Sequence, residues 1–352
     1  MAYCAILCGG GEPSYSSSQG FIHALKAQGH DVWTAGRAYF GRSLCDLELP
    51  DKPHPEYYSY QEVLDKCPWT PDLAICFDPG SFFNGSKPKG LKSVFISTDA
   101  HRCGELLRRV IKEGSYDLFV NLQPNYSHFF TDLIKVHTSI PAFDDRRFSI
   151  NEDAEPVCDV VFCGQTGLAL TEDHWKTPDG EDDAGRYISN LADRLSPDQW
   201  KYEFSYLPSW DYSERGELLY RLSQDFNVRI YEPLWDEKLQ VALQKGRVGI
   251  NYSILQDYSL RNLEVAAAGR PLVTDRIWEG NNPPYPPSSY LFTSGLYRPF
   301  YANFSLIYQQ AKKAVGIALQ KSALEKARDD REFVFFSETW KNRALEVLRV
   351  MK

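Results

Sequence analysis

The stretch SLRNLEVAAAGRPLVTD, from Ser259 to Asp275, contains one predicted helix and one predicted strand. Apolar residues at helical spacing predict a helix over 261–268, and Gly269 ends it. The apolar run 271–274 then predicts a buried strand whose carboxyl end carries Asp275. A helix that leads directly into a buried strand is typical of an α/β domain with a parallel sheet.

The same alternation continues through the rest of the chain. In the first half, apolar runs predict strands at 3–8, 31–34, 72–77, 93–97 and 117–121, with helices at 105–112 and 126–133. In the second half, they predict strands at 157–163, 202–206, 228–231, 248–251 and 271–274, with helices at 187–195, 216–224, 235–244 and 261–268. Strands that read as unbroken apolar runs belong to parallel sheets that are covered on both faces.

The polar segment SINEDAEP at 149–156 separates the two halves. We therefore predict an α/β fold with two Rossmann-like, doubly wound parallel-sheet domains, over residues 1–150 and 151–325. A C-terminal helix at 326–352 is expected to pack back on the first domain. Because such sheets bind ligands outside the carboxyl ends of their strands, we expect the two domains to face each other across a cleft.

Composition excludes several classes of protein. A formal net charge of −8 argues against an extended face for nucleic acid. The sequence has no run of about 20 apolar residues that would span a membrane, and the apolar start resembles no signal peptide. The eight cysteines form no CxxC pair and fit reduced, buried thiols. These features together predict a cytoplasmic protein.

Arg261 and Glu264 fall in the first turn of the helix predicted at 261–268. A helix N-terminus offers free N–H groups and a positive dipole end, which suit a diphosphate. Arg261 adds a fork of donors for phosphate oxygens, and Glu264 can accept from the two hydroxyls of a ribose. Ser259 and Asn262 belong to the same candidate donor site. A capped surface helix with a structural glutamate explains the same spacing equally well.

A second candidate for phosphate binding follows the strand predicted at 157–163. Gly164, Gln165 and Thr166 could present backbone and hydroxyl donors there, and Arg186 is expected to begin the helix that follows. The acidic segment 172–183 lies between them. We interpret it as a solvated insertion, with a mobile lid as the alternative.

The first domain has candidate residues at two strand ends. Gly10 and Gly11 allow close approach of the backbone to a sugar or acceptor, although their run does not match G-x-G-x-x-G. Asp99 follows the strand predicted at 93–97 and is the candidate general base. His101 is expected to bind phosphate or to assist proton transfer. The alternative role for Asp99 is a helix cap.

Aromatic residues flank a polar turn beside the candidate donor site. Tyr252 and Tyr258 lie on either side of Gln256 and Asp257. Aromatic rings stack on sugars and bases, whereas most aromatic residues of a globular protein belong to the core. We interpret these four residues as candidate contacts to the sugar or the acceptor.

Taken in order, these segments resemble GT-B glycosyltransferases, in particular the CgeB-like group. Segment 259–275 is similar to that family's arginine, Phe/Leu-Glu-x-x-Ala-x-Gly helix and Thr-Asp strand. Segments 116–120, 139–148, 159–164 and 228–231 resemble further motifs of the family in the same order. The resemblance implies a GT-B fold and transfer of a hexose or pentose from a nucleotide sugar to a hydroxyl acceptor. It also implies that no cofactor and no metal are bound.

One position departs from the family pattern. Retaining members of the wider fold carry a glutamate eight positions before the ribose-binding one, and Gln256 stands there in this sequence. An amide can hydrogen-bond a sugar hydroxyl but is not an ionised acceptor. The stereochemical outcome therefore stays open, between retention and inversion.

Two other functions remain compatible with an α/β chain of this kind. A Rossmann oxidoreductase would need a G-x-G-x-x-G motif, which the sequence lacks. A sugar- or nucleotide-binding protein that kept the fold and lost catalysis is compatible with Gln256. The acceptor is equally open, among a glycan, a small molecule, a protein and a modified nucleobase.

Overall fold

A computed structural model describes most of the chain. The described residues are 3–7, 17–37, 45–53, 55–77, 81–98, 100–149, 155–166, 168, 170, 172–176, 184–194, 209–234, 236–253, 257–277, 285–293 and 304–352. At 101–103, 192, 194, 209–213, 236 and 293 only the backbone is described. The strand predicted at 202–206 lies outside the described residues.

The chain divides into two compact units. Unit 1 comprises Met1–Asp144 and Glu338–Lys352, and unit 2 comprises Asp145–Ser337. The sequence places the first boundary at 150/151 and the second at 325/326. The second boundary moves further than the first, to 337/338, because the whole helix that precedes Glu338 belongs to unit 2.

Unit 1 is built on a sheet of seven parallel strands, in the order β3-β2-β1-β5-β7-β8-β9. These strands are β1 (Tyr3–Leu7), β2 (Asp31–Arg37), β3 (Leu47–Leu49), β5 (Leu73–Phe77), β7 (Lys92–Ser97), β8 (Leu118–Asn121) and β9 (Val136–Thr138). A separate pair is formed by β4 (Glu56–Ser59) and β6 (Ser81–Asn84). The helices are α1 (Ser17–Ala27), α2 (Tyr60–Leu64), α3 (Ala100–Glu113) and, near the end of the chain, α10 (Trp340–Val350).

Successive residues of the central strands enter two different cores. In β5, Ala74 and Cys76 pack towards Leu107 and Val110 of α3. Leu73, Ile75 and Phe77 join the core that contains apolar residues of α1 and α10. Because side chains alternate between the two faces of a strand, a strand that is apolar at every position must be covered on both sides. This explains why the strands of unit 1 are unbroken apolar runs.

Two helices differ from the sequence-based expectation. A 3-10 helix at Pro124–Phe129 replaces the helix predicted at 126–133. Two helices, α9 (Lys321–Ser337) and α10, replace the single helix predicted at 326–352. The chain breaks between them because Thr339 is extended and caps α10, its side chain accepting from the backbone N–H of Asn342 at 3.4 Å.

Glu346 connects α10 to the end of β9. Its Oε1 lies 2.7 Å from Nε2 of His137, and its Oε2 is ion-paired with Arg343. Burial alone raises the pKa of Glu346, but the hydrogen bond from His137 and the charge of Arg343 outweigh burial and lower this pKa to about 2. The folded state therefore favours the ionised carboxylate.

We expect this carboxylate to make unit 1 sensitive to acid. A group whose pKa is lowered by folding stabilises the folded state above its usual pKa of 4.5, and that contribution is lost as the pH falls towards about 2. The free energies of urea unfolding of wild type and Glu346→Gln should differ most at neutral pH. The difference should shrink as the pH falls below 4.5. A difference that stays constant down to pH 3 would contradict this.

Unit 2 has a sheet of six strands, in the order β11-β12-β10-β13-β14-β15. They are β10 (Cys158–Cys163), β11 (Tyr187–Ser189), β12 (Val228–Tyr231), β13 (Gly246–Asn251), β14 (Leu272–Arg276) and β15 (Tyr290–Thr293). Its helices are α4 (Leu191–Arg194), α5 (Ser209–Leu222), α6 (Asp236–Gln244), α7 (Arg261–Ala267), α8 (Phe304–Ala318) and α9. All neighbouring strands are parallel except β11, which runs antiparallel to β12.

The antiparallel strand corrects the prediction of a helix at 187–195. Tyr187, Ile188 and Ser189 pair with β12, and only Leu191–Arg194 is helical. Ile188 is fully buried against the core of unit 2, so pairing along the sheet edge outweighs local helical spacing. No helix in the described part of the chain has the length and apolar character needed to cross a membrane.

Candidate functional site

The loops that follow β10 and β13 begin at the carboxyl edge of the sheet of unit 2. The strand order reverses at this point, because the chain first adds β12 on one side of β10 and then crosses to β13 on the other. Open α/β sheets bind ligands outside the carboxyl ends of strands at such a reversal. Gly164 follows β10 with a φ of +142°, a conformation that glycine adopts readily. Tyr252 and Ser253 follow β13.

Helix α7 lies close against β13 and brings Arg261 and Glu264 to this edge. A Cβ atom at Gly249 of β13 would collide with the side chain of Val265 in α7, so the close approach needs glycine at that position. Nη1 of Arg261 lies 2.9 Å from Oε2 of Glu264, and both side chains are largely buried. Nη1 is buried and makes no hydrogen bond with the described residues. The guanidinium therefore keeps unused donor capacity inside unit 2.

The start of α7 corrects one expectation. Free N–H groups were predicted there, but the N–H of Arg261 donates to Oγ of Ser259 at 3.2 Å. The N–H of Asn262 donates to the carbonyl of Ser259, and those of Leu263 and Glu264 donate to the carbonyl of Leu260. The tight first turn thus satisfies these donors internally. Any anion at this place must be held by side chains.

Charges of both signs surround the thiol of Cys163 at the end of β10. Burial raises the pKa of Cys163, the positive charge of Arg261 lowers it, and the carboxylates of Glu264 and Glu232 raise it. The thiol itself donates to the carbonyl of Glu232 at 3.2 Å. The charges of Arg261, Glu264 and Glu232 therefore all act on the end of β10.

Arg186 does not have the surroundings predicted for it. It precedes β11 and does not begin a helix. Its Nε and Nη2 donate to Oε2 of Glu232 at 3.1 and 2.9 Å, and its Nη1 pairs with Glu172. Its guanidinium also lies 5.6 Å from the ring centre of Trp175. Two carboxylates already occupy this arginine, so a phosphate would have to compete with them.

Two predicted site residues make contacts inside unit 2. Oδ1 of Asn262 accepts from Nδ2 of Asn251 at 3.0 Å, and Asn262 is buried. Oγ1 of Thr166 accepts from the N–H of Leu168 at 3.1 Å, and Thr166 is also buried. Both therefore shape the loops at this edge. A direct contact of either with a nucleotide stays a prediction.

The aromatic candidates of unit 2 pack into its interior. The ring of Tyr252 stacks on Phe292 at 6.0 Å, and its hydroxyl donates to Oε2 of Glu214 at 2.9 Å. Tyr258 lies 5.7 Å from the ring of Tyr285. Both tyrosines are buried, which gives them a packing role. Their contact with a sugar stays a prediction.

Other candidates lie outside the described residues. These are Gly10, Gly11, Asp99 and Gln256, together with the side chain of His101. On the chain, Asp99 stands between Thr98, which follows β7, and Ala100, the first residue of α3. The carbonyl of Thr98 accepts from Nε2 of Gln123 at 3.0 Å, which ties the end of β7 to the loop after β8.

Sequence reasoning missed Arg215 of α5. Its Nη1 donates to the carbonyl of Gln165 at 3.0 Å, and its Nε donates to the carbonyl of Tyr252 at 2.9 Å. Arg215 lies on the apolar face of its helix. Buried leucines follow it at helical spacing, at positions 218, 219 and 222. An arginine on that face is the pattern that could have revealed it. The helix predicted at 216–224 begins seven positions after the start of α5 and so leaves Arg215 out.

Asp275 and Ser253 form a second pair that was missed. The carboxylate of Asp275 accepts from the N–H of Ser253 at 2.8 Å and from its hydroxyl. Burial raises the pKa of Asp275, hydrogen bonds from Ser253 lower it, and the nearby charge of Asp257 raises it. This pair ties the loop after β13 to the end of β14.

The described residues contain no group of three or more His, Cys, Asp and Glu side chains that could hold a metal ion. The edge of unit 2 offers a hydrogen-bond donor, the guanidinium of Arg261, and an acceptor, the carboxylate of Glu264. Such a pair can bind phosphate oxygens and hydroxyl groups. Metal-independent chemistry stays a prediction.

Proteins of known structure share this fold over almost the whole chain. No family model matches the sequence, and no curated protein is significantly similar to it. Sucrose-phosphate synthase from Thermosynechococcus elongatus is 10% identical with a TM-score of 0.57, over 99% of this chain and 98% of that chain. The catalytic domain of starch synthase IV from Arabidopsis thaliana, bound to ADP and acarbose, is 12% identical with a TM-score of 0.58. The match covers 99% of this chain and 98% of that chain.

Anabaena HepE, solved in complex with UDP and glucose, is 11% identical with a TM-score of 0.55, over 99% of this chain and 100% of that chain. Identities this low show similarity of fold alone. These structures are GT-B glycosyltransferases, and each aligns with this chain along its full length. The chain therefore has the GT-B fold.

Proposed function

We propose that this protein is a glycosyltransferase that moves a sugar from a nucleoside-diphosphate sugar to a hydroxyl acceptor without a bound metal. The observation that carries the proposal is the Arg261–Glu264 pair at the carboxyl edge of unit 2. Its two charges act on the thiol of Cys163, at the end of β10, where the strand order reverses. That is the place where open α/β sheets bind nucleotides.

Each member of the pair has a role in this proposal. Arg261 binds phosphate oxygens of the donor through the buried Nη1, for which the described residues provide no hydrogen bond. Glu264 accepts hydrogen bonds from the ribose hydroxyls. As the sugar leaves, negative charge grows on the diphosphate, and the guanidinium stabilises it electrostatically. Two proteins of similar fold were solved with ADP or UDP, which supports a nucleotide in this chain.

The remaining parts of the proposal rest on the sequence. Asp99 is proposed as the general base that takes the proton of the acceptor hydroxyl, assisted by His101. The CgeB-like subgroup and a cytoplasmic location belong to the same proposal. So does a hexose or pentose as the transferred sugar, with a glycan, small molecule, protein or modified nucleobase as the acceptor.

A binding and hydrolysis screen tests the proposal. The full chain is incubated in EDTA with UDP-, GDP-, ADP- and TDP-sugars, and thermal shift and release of free sugar are measured. We expect one nucleotide series to stabilise the protein and to be hydrolysed slowly. In the same assay Asp99→Asn should keep the thermal shift and lose turnover. Binding without hydrolysis would favour a non-catalytic protein, and turnover with nicotinamide cofactors alone would contradict the proposal.

A further inference from the structure

We infer that Arg215 is a positioning residue for the donor site, because it sets the distance between two loops at the point of strand reversal. The inference rests on the proposed function, since it assumes that the donor binds at this edge of unit 2. Arg215 lies in α5 and is only 8% exposed. No sequence motif assigns it a role.

The two loops that Arg215 joins come from neighbouring strands. Gln165 follows β10 by two positions, and Tyr252 is the first residue after β13. Nη1 of Arg215 donates to the carbonyl of Gln165 at 3.0 Å. Nε donates to the carbonyl of Tyr252 at 2.9 Å, and Nη2 donates to the same carbonyl. One guanidinium therefore bridges both sides of the proposed nucleotide site.

The planarity of the guanidinium makes the bridge rigid. Its five N–H donors have a fixed geometry, so two carbonyls bound to one group keep a fixed separation. The guanidinium also lies 5.5 Å from the ring centre of Phe162 in β10, which holds its plane. A lysine at this position would offer a compact ammonium that cannot reproduce both contacts in the same plane.

The bridge is extended on both sides by other hydrogen bonds. Glu214, the residue before Arg215, accepts from the hydroxyl of Tyr252 at 2.9 Å. Ser253 is bonded through its N–H and its hydroxyl to the buried carboxylate of Asp275 in β14. The ends of β10, β13 and β14 are thus connected through Arg215, Tyr252 and Ser253. Without Arg215, the side-chain link between the loops after β10 and β13 is lost, while the link from Ser253 to β14 remains.

This arrangement predicts an effect on nucleotide binding. Loops that are already ordered lose little conformational entropy when a ligand binds, whereas released loops must be ordered at that moment. The hydrogen bonds of Arg215 to Gln165 and Tyr252 go to backbone carbonyls, so we infer that it acts by preorganising the two loops. Its removal should therefore weaken nucleotide affinity and loosen the two loops together.

The experiment compares Arg215→Ala and Arg215→Lys with a matched control on the same helix, Arg221→Ala. Arg221 pairs with Glu217 at 2.6 Å, its side chain is 37% exposed, and it lies over the rings of Phe304 and Tyr308 in α8. Hydrogen–deuterium exchange is followed in peptides that cover residues 158–166 and 246–253. Calorimetry measures the affinity for UDP and ADP. Free guanidinium at millimolar concentration is added to Arg215→Ala as a chemical replacement for the missing group.

We expect exchange in both peptides to rise by about tenfold in Arg215→Ala, with no such rise elsewhere in unit 2. Nucleotide affinity should fall by about tenfold and be partly restored by guanidinium, while Arg221→Ala remains like wild type. Arg215→Lys should resemble Arg215→Ala in both measurements.

Three results would overturn the inference. The first is unchanged exchange in the two peptides. The second is an equal rise throughout unit 2, which would mean general unfolding. The third is unchanged nucleotide affinity when the loops are loosened. If wild type binds neither UDP nor ADP, the proposed donor site fails and this inference fails with it, even where exchange shows that Arg215 bridges the loops.

Discussion

Replacing Glu264 by glutamine should lower the affinity for the donor nucleotide by about 10- to 100-fold, since hydrogen bonds to charged groups are worth about 1.5–3 kcal/mol. The carboxylate is proposed to bind the ribose hydroxyls and is ion-paired with Arg261 at 2.9 Å. Glutamine keeps the size of the side chain, loses its charge and offers one carbonyl oxygen. Arg261→Met should have an effect of similar size, because the diphosphate loses its guanidinium.

The single variants should be less stable than the double variant. Arg261→Met leaves the carboxylate of Glu264 largely buried and uncompensated, and breaking such a pair from one side costs about 3 kcal/mol. The double variant Arg261→Met/Glu264→Gln removes both charges, so it should regain part of that stability. It should not regain nucleotide binding. This separation tells a binding role apart from a structural one.

Calorimetry measures the affinity of each variant for UDP and ADP, and urea unfolding measures its stability. The matched control is Glu217→Gln, since Glu217 forms a similar ion pair with Arg221 within α5. This control should leave nucleotide affinity unchanged. If Glu264→Gln or Arg261→Met binds the nucleotide as tightly as wild type, the donor site does not lie at this pair.

Trp340→Ala should destabilise unit 1 by about 3–5 kcal/mol, the usual loss for truncating a buried tryptophan. Trp340 is 3% exposed, and its ring meets Phe21 at 6.2 Å and Phe77 at 6.0 Å, edge to face. A Cβ atom at Gly20 of α1 would collide with the indole, so α1 and α10 are closely packed. The cavity left by alanine could not close without moving a helix.

Urea unfolding followed by tryptophan fluorescence and circular dichroism measures this loss. Leu345→Ala on the same helix is the control, because Leu345 is 50% exposed and should change stability by less than about 1 kcal/mol. We expect unit 2 to unfold at its wild-type urea concentration in Trp340→Ala. Equal effects of the two substitutions would show that α10 contributes little to the core of unit 1.

The candidate site shows which features a local sequence pattern can predict and which it cannot. The pattern correctly gave α7 and β14, because their spacing and glycine stop are local properties. It failed for the backbone donors of α7, since it could not show that Ser259 and Leu260 already accept from them. It was wrong about a helix starting at Arg186, and it could not show the carboxylate partners of this arginine, which are 14 and 46 residues away.

A C-terminal helix packed on the first domain is expected from the sequence, but its contacts, like the role of Arg215, were beyond a local pattern for the same reason. The carbonyls that Arg215 binds lie 50 and 37 residues from it along the chain. Gln28 and Lys341, which join α1 to α10, are separated by 313 positions. The energy of such contacts depends on burial and geometry that exist only after the chain has folded.

From the sequence alone, the α/β class, most parallel strands and the helix–glycine–strand segment 259–275 followed, because buried strands and helix ends have local signatures. The tertiary structure decided which groups in that segment are already bonded, and that two carboxylates surround Arg186. It also decided that Arg215 bridges the loops after β10 and β13, and where α10, the helix expected to pack on the first domain, begins. Those outcomes depend on long-range packing and hydrogen bonding, which bring together residues that no short pattern connects.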